Sequence, residues 1–328
     1  MKSRHLIALV GLVILAVLAN LLVSRDGLLL GAFGDLLRGE ESLGTRILAE
    51  LRFPRAILGA LVGAGLGASG AALQGFFRNP LADPGIVGVS ASSGLGAVIA
   101  LYFGLAGISL LMIPMAATLG GLVGVGFLLL LAGRRASSTT LILSGVAVSA
   151  VASSMTALLM NLSPNPWALA EIAYWLMGSL ADANWNEVRF AAPLILAGTT
   201  LLVLVRNDLD PLSLGEETAR SLGVNLPWLR LAIVLGSALA VGGGVAVAGA
   251  IGFIGLVVPH LLRPFVASRP AALLLPSALG GAALLSLADV GTRLLSGPGI
   301  PLYLGVLTAL LGAPFFVWLV RSTQGRAP

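Results

Sequence analysis

The sequence of 328 residues contains no cysteine. That absence excludes disulfide staples and thiolate metal sites. Charge is nearly as scarce. Asp, Glu, Lys and Arg together make up 10% of the residues, where a soluble domain carries about 25%. So few charges cannot cover a water-facing surface of this size. Aromatic residues stand at 6%. Catalytic constellations are missing as well. The two histidines, His5 and His260, lie far apart in the sequence, there is no HExxH, and no GxxxxGK[ST] is present to cradle a nucleotide. The net charge of +5 comes from basic residues scattered among loops, so membrane topology explains it better than nucleic-acid binding.

What is abundant is apolar. Hydrophobic residues reach 57%, the mean hydropathy is +1.01, and 43 residues are glycine. The apolar runs are long and continuous, not short and alternating. They describe a polytopic, all-α membrane protein and not a β-barrel. Small residues let helix backbones approach closely in lipid, where burial between helices gains little. The whole chain, 1–328, is read as one transmembrane domain.

About 20 apolar residues cross a bilayer as a helix. Ten spans are predicted: 5–24, 56–76, 88–106, 110–133, 141–160, 190–205, 231–248, 250–262, 272–291 and 303–320. The third and eighth are short or glycine-interrupted. The segment 167–182 is expected to form a partial or surface helix. The first span follows Lys2, Arg4 and His5 in the manner of a signal peptide, but its apolar run is too long for one and a retained helix is expected.

Charge counting orients the spans. With the N-terminus inside, the cytoplasmic segments hold Lys2, Arg4, Arg78, Arg134, Arg135, Arg206, Arg220, Arg230, Arg263, Arg269, Arg321 and Arg326, which is 12 of the 19 basic residues. The outside keeps Arg25, Arg38, Arg46, Arg52, Arg55, Arg189 and Arg293. Both termini are therefore placed in the cytoplasm. A faint repeat relates 61–77 to 239–255, two Gly/Ala-rich helices that face opposite ways on this topology. Inverted repeats are typical of transporters. Shared Gly/Ala bias is the competing explanation.

Few residues offer chemistry. GASGA at 67–71 has the outline of a nucleophile motif, yet it sits inside an apolar span with no partner histidine and reads as packing. Asp289 is the clearest acid within a span, with Glu171 in the partial helix. A buried acid would favour ion coupling, while a helix-end acid paired locally with Arg293 is the plainer account. The segment 206–230 is the most polar long loop. Ser213 stands three residues before Glu216 in the spacing of a capping box. Gly223 suits a left-handed helix end, and Pro227 can open the next helix. A defined cytoplasmic helix and turn is expected there, either as a plain surface element or as a docking element for a soluble partner.

Several long motifs occur in order along the chain: RFPR at 52–55, SGAALQGFFRNPLADPGIVGVS at 69–90, LGEETARSLGV at 214–224, GAIGFIGLVVPHLLR at 249–263 and GVLTALLGAPFFVWL at 305–319. In these the chain resembles the FecCD family of ABC-importer permeases, which take up vitamin B12, heme and ferric siderophores. Its likeness is greatest to the vitamin B12 type. The resemblance implies an import channel in the cell inner membrane, built from two permease copies. It also implies an ATPase dimer that binds ATP and Mg, and a periplasmic substrate-binding protein. By that resemblance Arg52, Arg55 and Arg293 dock the binding protein. Gly215, Glu216, Ala219, Arg220, Leu222 and Gly223 couple to the ATPase, and Asn79, Leu81, Ser138 and Thr139 line cytoplasmic gates. No cofactor or metal is bound by the chain itself, no reaction is catalysed by it, and surrounding lipid is its other partner. One departure stands out. The family reads E-L-P-x-G before the last span, whereas this chain has PLYLG at 301–305, so Pro301 replaces the acid and Tyr303 the proline. The outer end of the last span is expected to be shaped differently near Arg293. An ion-coupled secondary transporter and a membrane-embedded enzyme are the competing function classes; the sparse buried acids and the absence of a polar active site count against them.

Overall fold

The computed structural model describes residues 3–24, 27–133, 137–266, 269–297 and 299–324. Of the charges used to orient the spans, Lys2, Arg25, Arg134, Arg135 and Arg326 lie outside the described residues. The fold is all-α. The one sheet among the described residues is a two-residue ladder pairing β1 (Val23–Ser24) with β2 (Gly27–Leu28) in antiparallel register.

In chain order, α1 (Ser3–Leu22) leads into the ladder and then α2 (Leu30–Arg38). Next, α3 (Leu43–Ile47) opens at Ser42, whose hydroxyl accepts from the Thr45 N–H while the Ser42 N–H donates to Thr45 Oγ1. It continues through a π-helical turn, Leu48–Arg52, into α4 (Phe53–Phe76). There follow α5 (Val89–Tyr102), α6 (Met112–Ala132), α7 (Ser138–Asn161), α8 (Pro166–Leu176) and α9 (Trp185–Leu204). The short α10 (Leu209–Leu212) and α11 (Glu216–Ser221) precede α12 (Leu226–Ala248), α13 (Ile254–Leu262), α14 (Pro270–Leu295) and α15 (Leu304–Gln324).

Each predicted span falls on a helix. Seven helical stretches are long and apolar enough to cross a membrane: α1, Leu43–Phe76, α6, α7, α9, α12 and α14. Three shorter apolar helices take the remaining predictions, on α5, on α13 with its 3-10 extension to Val266, and on α15. The predicted partial helix is α8, of 11 residues.

α4, α12 and α14 are mostly buried, whereas α1, α6, α7 and α9 bury fewer than a third of their residues. Small residues explain that centre. A Cβ on Gly63 would strike the Gly281 carbonyl, one on Gly67 the Ser277 carbonyl, and one on Gly281 the Gly63 carbonyl. α4 and α14 therefore meet backbone to backbone, which only glycine permits. α4 and α12 pack antiparallel: Gly244 lies against Val62 and Gly65 against Ala240. The two stretches of the faint repeat thus sit side by side in opposite directions.

The chain is unwound between α12 and α13, at 249–253. Gly249 (φ +67°) and Phe253 (φ +68°) are both left-handed there. Freed backbone groups deep in a helix bundle must find partners within the protein. The Ala248 carbonyl accepts from the Ser179 N–H at 2.9 Å, and the Gly178 carbonyl accepts from the Leu304 N–H at 2.9 Å. This break, the turn after α8 and the start of α15 are thereby joined.

Candidate functional site

Helix termini gather at one end of the bundle around a cavity of about 950 Å³. Arg52 and Arg55 enter it from the start of α4, Val247–Gly249 from the end of α12, Asp289 and Arg293 from the end of α14, and Pro301–Leu304 from the lead into α15. The far wall is aromatic and acidic, with Trp167, Glu171 and Tyr174 on α8 and Glu187 on α9. Tyr174 stacks on Tyr303, with ring centroids 5.7 Å apart and an interplanar angle of 11°. Tyr303, one of the two residues that depart from the family pattern, thus bridges α8 and the lead into α15.

All three predicted docking arginines line this cavity, and each is held. Arg55 meets Asp289 through two donors: Nε reaches Oδ2 at 2.8 Å and Oδ1 at 3.1 Å, and Nη2 reaches Oδ1 at 2.8 Å. Asn20 Nδ2 donates to Asp289 Oδ2 at 2.9 Å and to the Ser286 carbonyl at 3.1 Å. Arg293 donates through Nη2 to the Asn20 carbonyl at 2.8 Å and through Nη1 to the Val23 carbonyl at 3.2 Å. Arg52 donates to the Val23 carbonyl and Ser24 Oγ, both at 3.3 Å. The carbonyl-rich end of α1, where the helix dipole is negative, is thus capped by cations.

The local pairing of Asp289 with Arg293 is the weaker one, at 3.7 Å. Arg55, on another helix, is the primary partner of Asp289. A side-on guanidinium–carboxylate contact satisfies two donors at once, and α4 places Arg55 to make it. The π-turn before Arg52 also has a fixed position, because Trp185 Nε1 donates to the Ala49 carbonyl at 3.0 Å.

The opposite end carries the predicted coupling segment. α11 is present and ends as expected: Gly223 is left-handed (φ +89°), its N–H donates to the Arg220 carbonyl, and the Val224 N–H reaches the Ala219 carbonyl. Asn225 caps α12, accepting from the Trp228 N–H at 3.1 Å, and Pro227 sits in the first turn. The Ser213–Glu216 capping box does not form. Ser213 Oγ donates instead to the Asp210 carbonyl at 2.6 Å, closing α10, and Gly215 (φ +112°) precedes α11 with no side-chain cap. Arg220, Leu222 and Gly223 are exposed, Gly215 and Glu216 half-buried, and Ala219 fully buried against the protein's own core. Leu214 and Leu222 together leave apolar surface at this tip. The segment is anchored by Asp210, which accepts from Arg269 Nη2 at 2.7 Å and from the Ala271 N–H at 2.9 Å at the start of α14.

The predicted gate residues lie in two places. Asn79 and Leu81 occupy the turn after α4, where Asn79 Oδ1 accepts from the Leu81 N–H at 2.9 Å. Farther along, Asp83 caps the short turn Pro84–Val87, accepting from the Gly85 N–H at 2.8 Å. Burial pushes the Asp83 carboxyl above its usual range, opposed by that hydrogen bond. Ser138 and Thr139 open α7, just after its cap Ser137. The turn seats on α7 through Gly88, packed against Gly145 and Val148, about two helical turns beyond Ser138.

The sequence matches the FecCD transport family over residues 8–322. The chain belongs to that family. It is 40% identical to the Fe(3+) dicitrate transport permease FecD of Escherichia coli over 274 residues, covering 84% of this chain and 85% of that one. It is 39% identical to the cobalamin import permease BtuC of Halobacterium salinarum over 284 residues, covering 86% and 75%. A solved chain described as an inward-facing metal-chelate type ABC transporter superposes with a TM-score of 0.85 at 33% identity, covering 98% of this chain and all of that one. FecCD members are ABC-transporter permease components, which are not themselves catalytic, and the present chain is a multi-pass membrane protein of that family.

Ser24, Asp289 and Tyr174 line the cavity, and Asn20 hydrogen-bonds Asp289, without having been singled out for this site. Asn20 carried a signal, being a carboxamide in an otherwise apolar span and costly to bury unpartnered. Asp289 stood out as an acid within a span but not with its partner Arg55, and Ser24 and Tyr174 gave no signal, because the partners come from remote segments.

Proposed function

We propose that this chain is the permease subunit of a binding-protein-dependent ABC importer that moves a metal chelate into the cell. The observation that carries the reading is the family match across 8–322. The chain has no nucleotide motif, so ATP and Mg belong on a separate ATPase subunit. On this reading two permease copies enclose the path, ten helices cross the inner membrane, and both termini are cytoplasmic. The cavity end then faces the periplasm, where Arg52, Arg55 and Arg293 receive the substrate-binding protein. The opposite end faces the ATPase dimer through Gly215–Gly223, with the exposed Leu222 and Arg220 in contact and the buried Ala219 holding the element to the bundle. Asn79 and Leu81, with Ser138 and Thr139, close the path on that side.

The cargo is a chelate of the vitamin B12, heme or ferric-siderophore class. Identity does not select among them, since the ferric dicitrate and cobalamin relatives match almost equally. Ion coupling finds no support in Asp289, the one fully buried acid among the described residues, because Arg55 already pairs with it.

The test is reconstitution in vesicles with the ATPase and the binding protein. Chelate uptake is expected only when all three and ATP are present. Uptake by the permease alone, driven by an ion gradient, overturns the importer reading. Changing Arg52 and Arg55 to Glu is expected to abolish stimulation of ATP hydrolysis by the binding protein. Unchanged stimulation removes the docking assignment.

A further inference from the structure

Asp289 lies at the floor of the cavity with its side chain fully buried. A buried carboxylate persists as an anion only when paired and hydrogen-bonded. Arg55 and Asn20 supply that pairing, and Arg293 adds a cation 3.7 Å away. The way Arg55 is held has a consequence. A guanidinium carries five N–H donors in a planar fork. Asp289 engages its side-on edge, Nε and Nη2, which leaves the Nη1 end without a hydrogen bond among the described residues. Arg55 nonetheless lines the cavity, with 14% of its side chain exposed. One guanidinium can thus hold an internal carboxylate on its side and receive a second one end-on.

The other two arginines are placed differently. Arg293 commits both terminal nitrogens to carbonyls, Asn20 at the end of α1 and Val23 in β1. Arg52 makes two contacts of 3.3 Å, longer than those of Arg55.

We propose that Asp289, itself fixed by Asn20, is a positioning residue. It locks Arg55 side-on so that the free end of its guanidinium is presented to a carboxylate of the incoming binding protein. The inference rests on the docking reading above. Preorganisation of this kind strengthens association by removing the side-chain entropy otherwise lost on binding. Asn20 extends the arrangement to α1, so the fork is held by three helices.

The experiment measures the affinity of the binding protein for the assembled transporter, with its salt dependence and thermal midpoint recorded in parallel. Arg55→Lys keeps the cation and an ion pair to Asp289 but cannot offer a second fork. It is expected to weaken binding about tenfold or more, equivalent to about 1.4 kcal/mol, with the midpoint preserved. Asp289→Asn is expected to weaken binding as well, and Asp289→Glu to restore part of the loss, which a purely structural role would not produce. Should Asp289→Asn fail to assemble, Arg55→Lys decides alone. Parent-like affinity in Arg55→Lys, or in an assembled Asp289→Asn, overturns the proposal. The Arg52 and Arg55 to Glu double variant separates the two levels. If it abolishes stimulation while Arg55→Lys binds normally, only the positioning role falls; if it is silent, the docking reading falls too.

Discussion

At the scale of single residues, the absence of a side chain matters as much as its presence. Gly67 sits where α4 presses on α14, and a methyl group there would meet the Ser277 carbonyl. Backbone atoms cannot swing aside as a side chain can, so the helices must separate. Gly67→Ala is expected to destabilise the permease by about 1–3 kcal/mol, read as a lowered thermal midpoint in detergent. Gly126, on α6 with nothing within 4 Å of an added Cβ, is the control: Gly126→Ala is expected to leave the midpoint unchanged or raised, since alanine is the better helix residue. A Gly126 variant as unstable as the Gly67 variant would argue against close approach as the cause. The glycine content announced tight packing, but not which glycines carry it, because the contact partner lies some two hundred residues away. The same distance hid the partner of Arg55. Spacing along one helix points Asp289 to Arg293, four residues on, yet a bidentate contact from α4 wins over a looser local one.

At the scale of elements, α14 joins the cavity end of the bundle to the end that carries α11. The 26 residues of α14 span about 39 Å; Ala271 near its start is bound to Asp210, and Asp289, about 27 Å farther along the axis, is bound to Arg55. Asp210 both accepts from the first turn of α14 and pairs with Arg269, so α10 and the adjoining α11, the proposed coupling helix, are tied to this rod. Asp210→Ala removes the tie while leaving the exposed face of α11 intact. The permease is expected to keep its ATPase on purification but to lose at least half of the stimulation of ATP hydrolysis by the binding protein. Full stimulation in this variant would mean that α14 does not transmit through Asp210. Long elements such as α14 were legible because a run of some 20 apolar residues has few other solutions. Gly223 and Pro227 were legible because each suits a specific backbone role that α11 and α12 use. The Ser213 cap was not. A hydroxyl has several carbonyls and N–H groups within reach, and the preceding turn offered Asp210 before α11 began.

At the scale of the whole molecule, the class was open to reading from composition, and the cavity was not. Its walls are contributed by the ends of helices that are remote in sequence, so no local pattern marks them, and the aromatic bridge from Tyr174 to Tyr303 exists only once α8 and α15 meet. The two stretches of the faint repeat lie in antiparallel contact, α4 against α12, a placement compatible with inverted halves and equally with shared Gly/Ala packing. The proposed pairing of two permeases makes a testable demand on the end that carries α11. One chain presents a single α11 with a single exposed patch around Leu214 and Leu222. A dimeric ATPase offers two equivalent surfaces, and closed two-fold symmetry satisfies both when two permeases stand over it. Native mass measurement of the detergent-solubilised complex is therefore expected to give two permeases to two ATPase subunits. Leu222→Asp, which puts a charge into the apolar patch, is expected to release the ATPase from both sites together. A complex of one permease with two ATPase subunits, stable and still stimulated by the binding protein, would show that one α11 suffices and would remove the paired architecture.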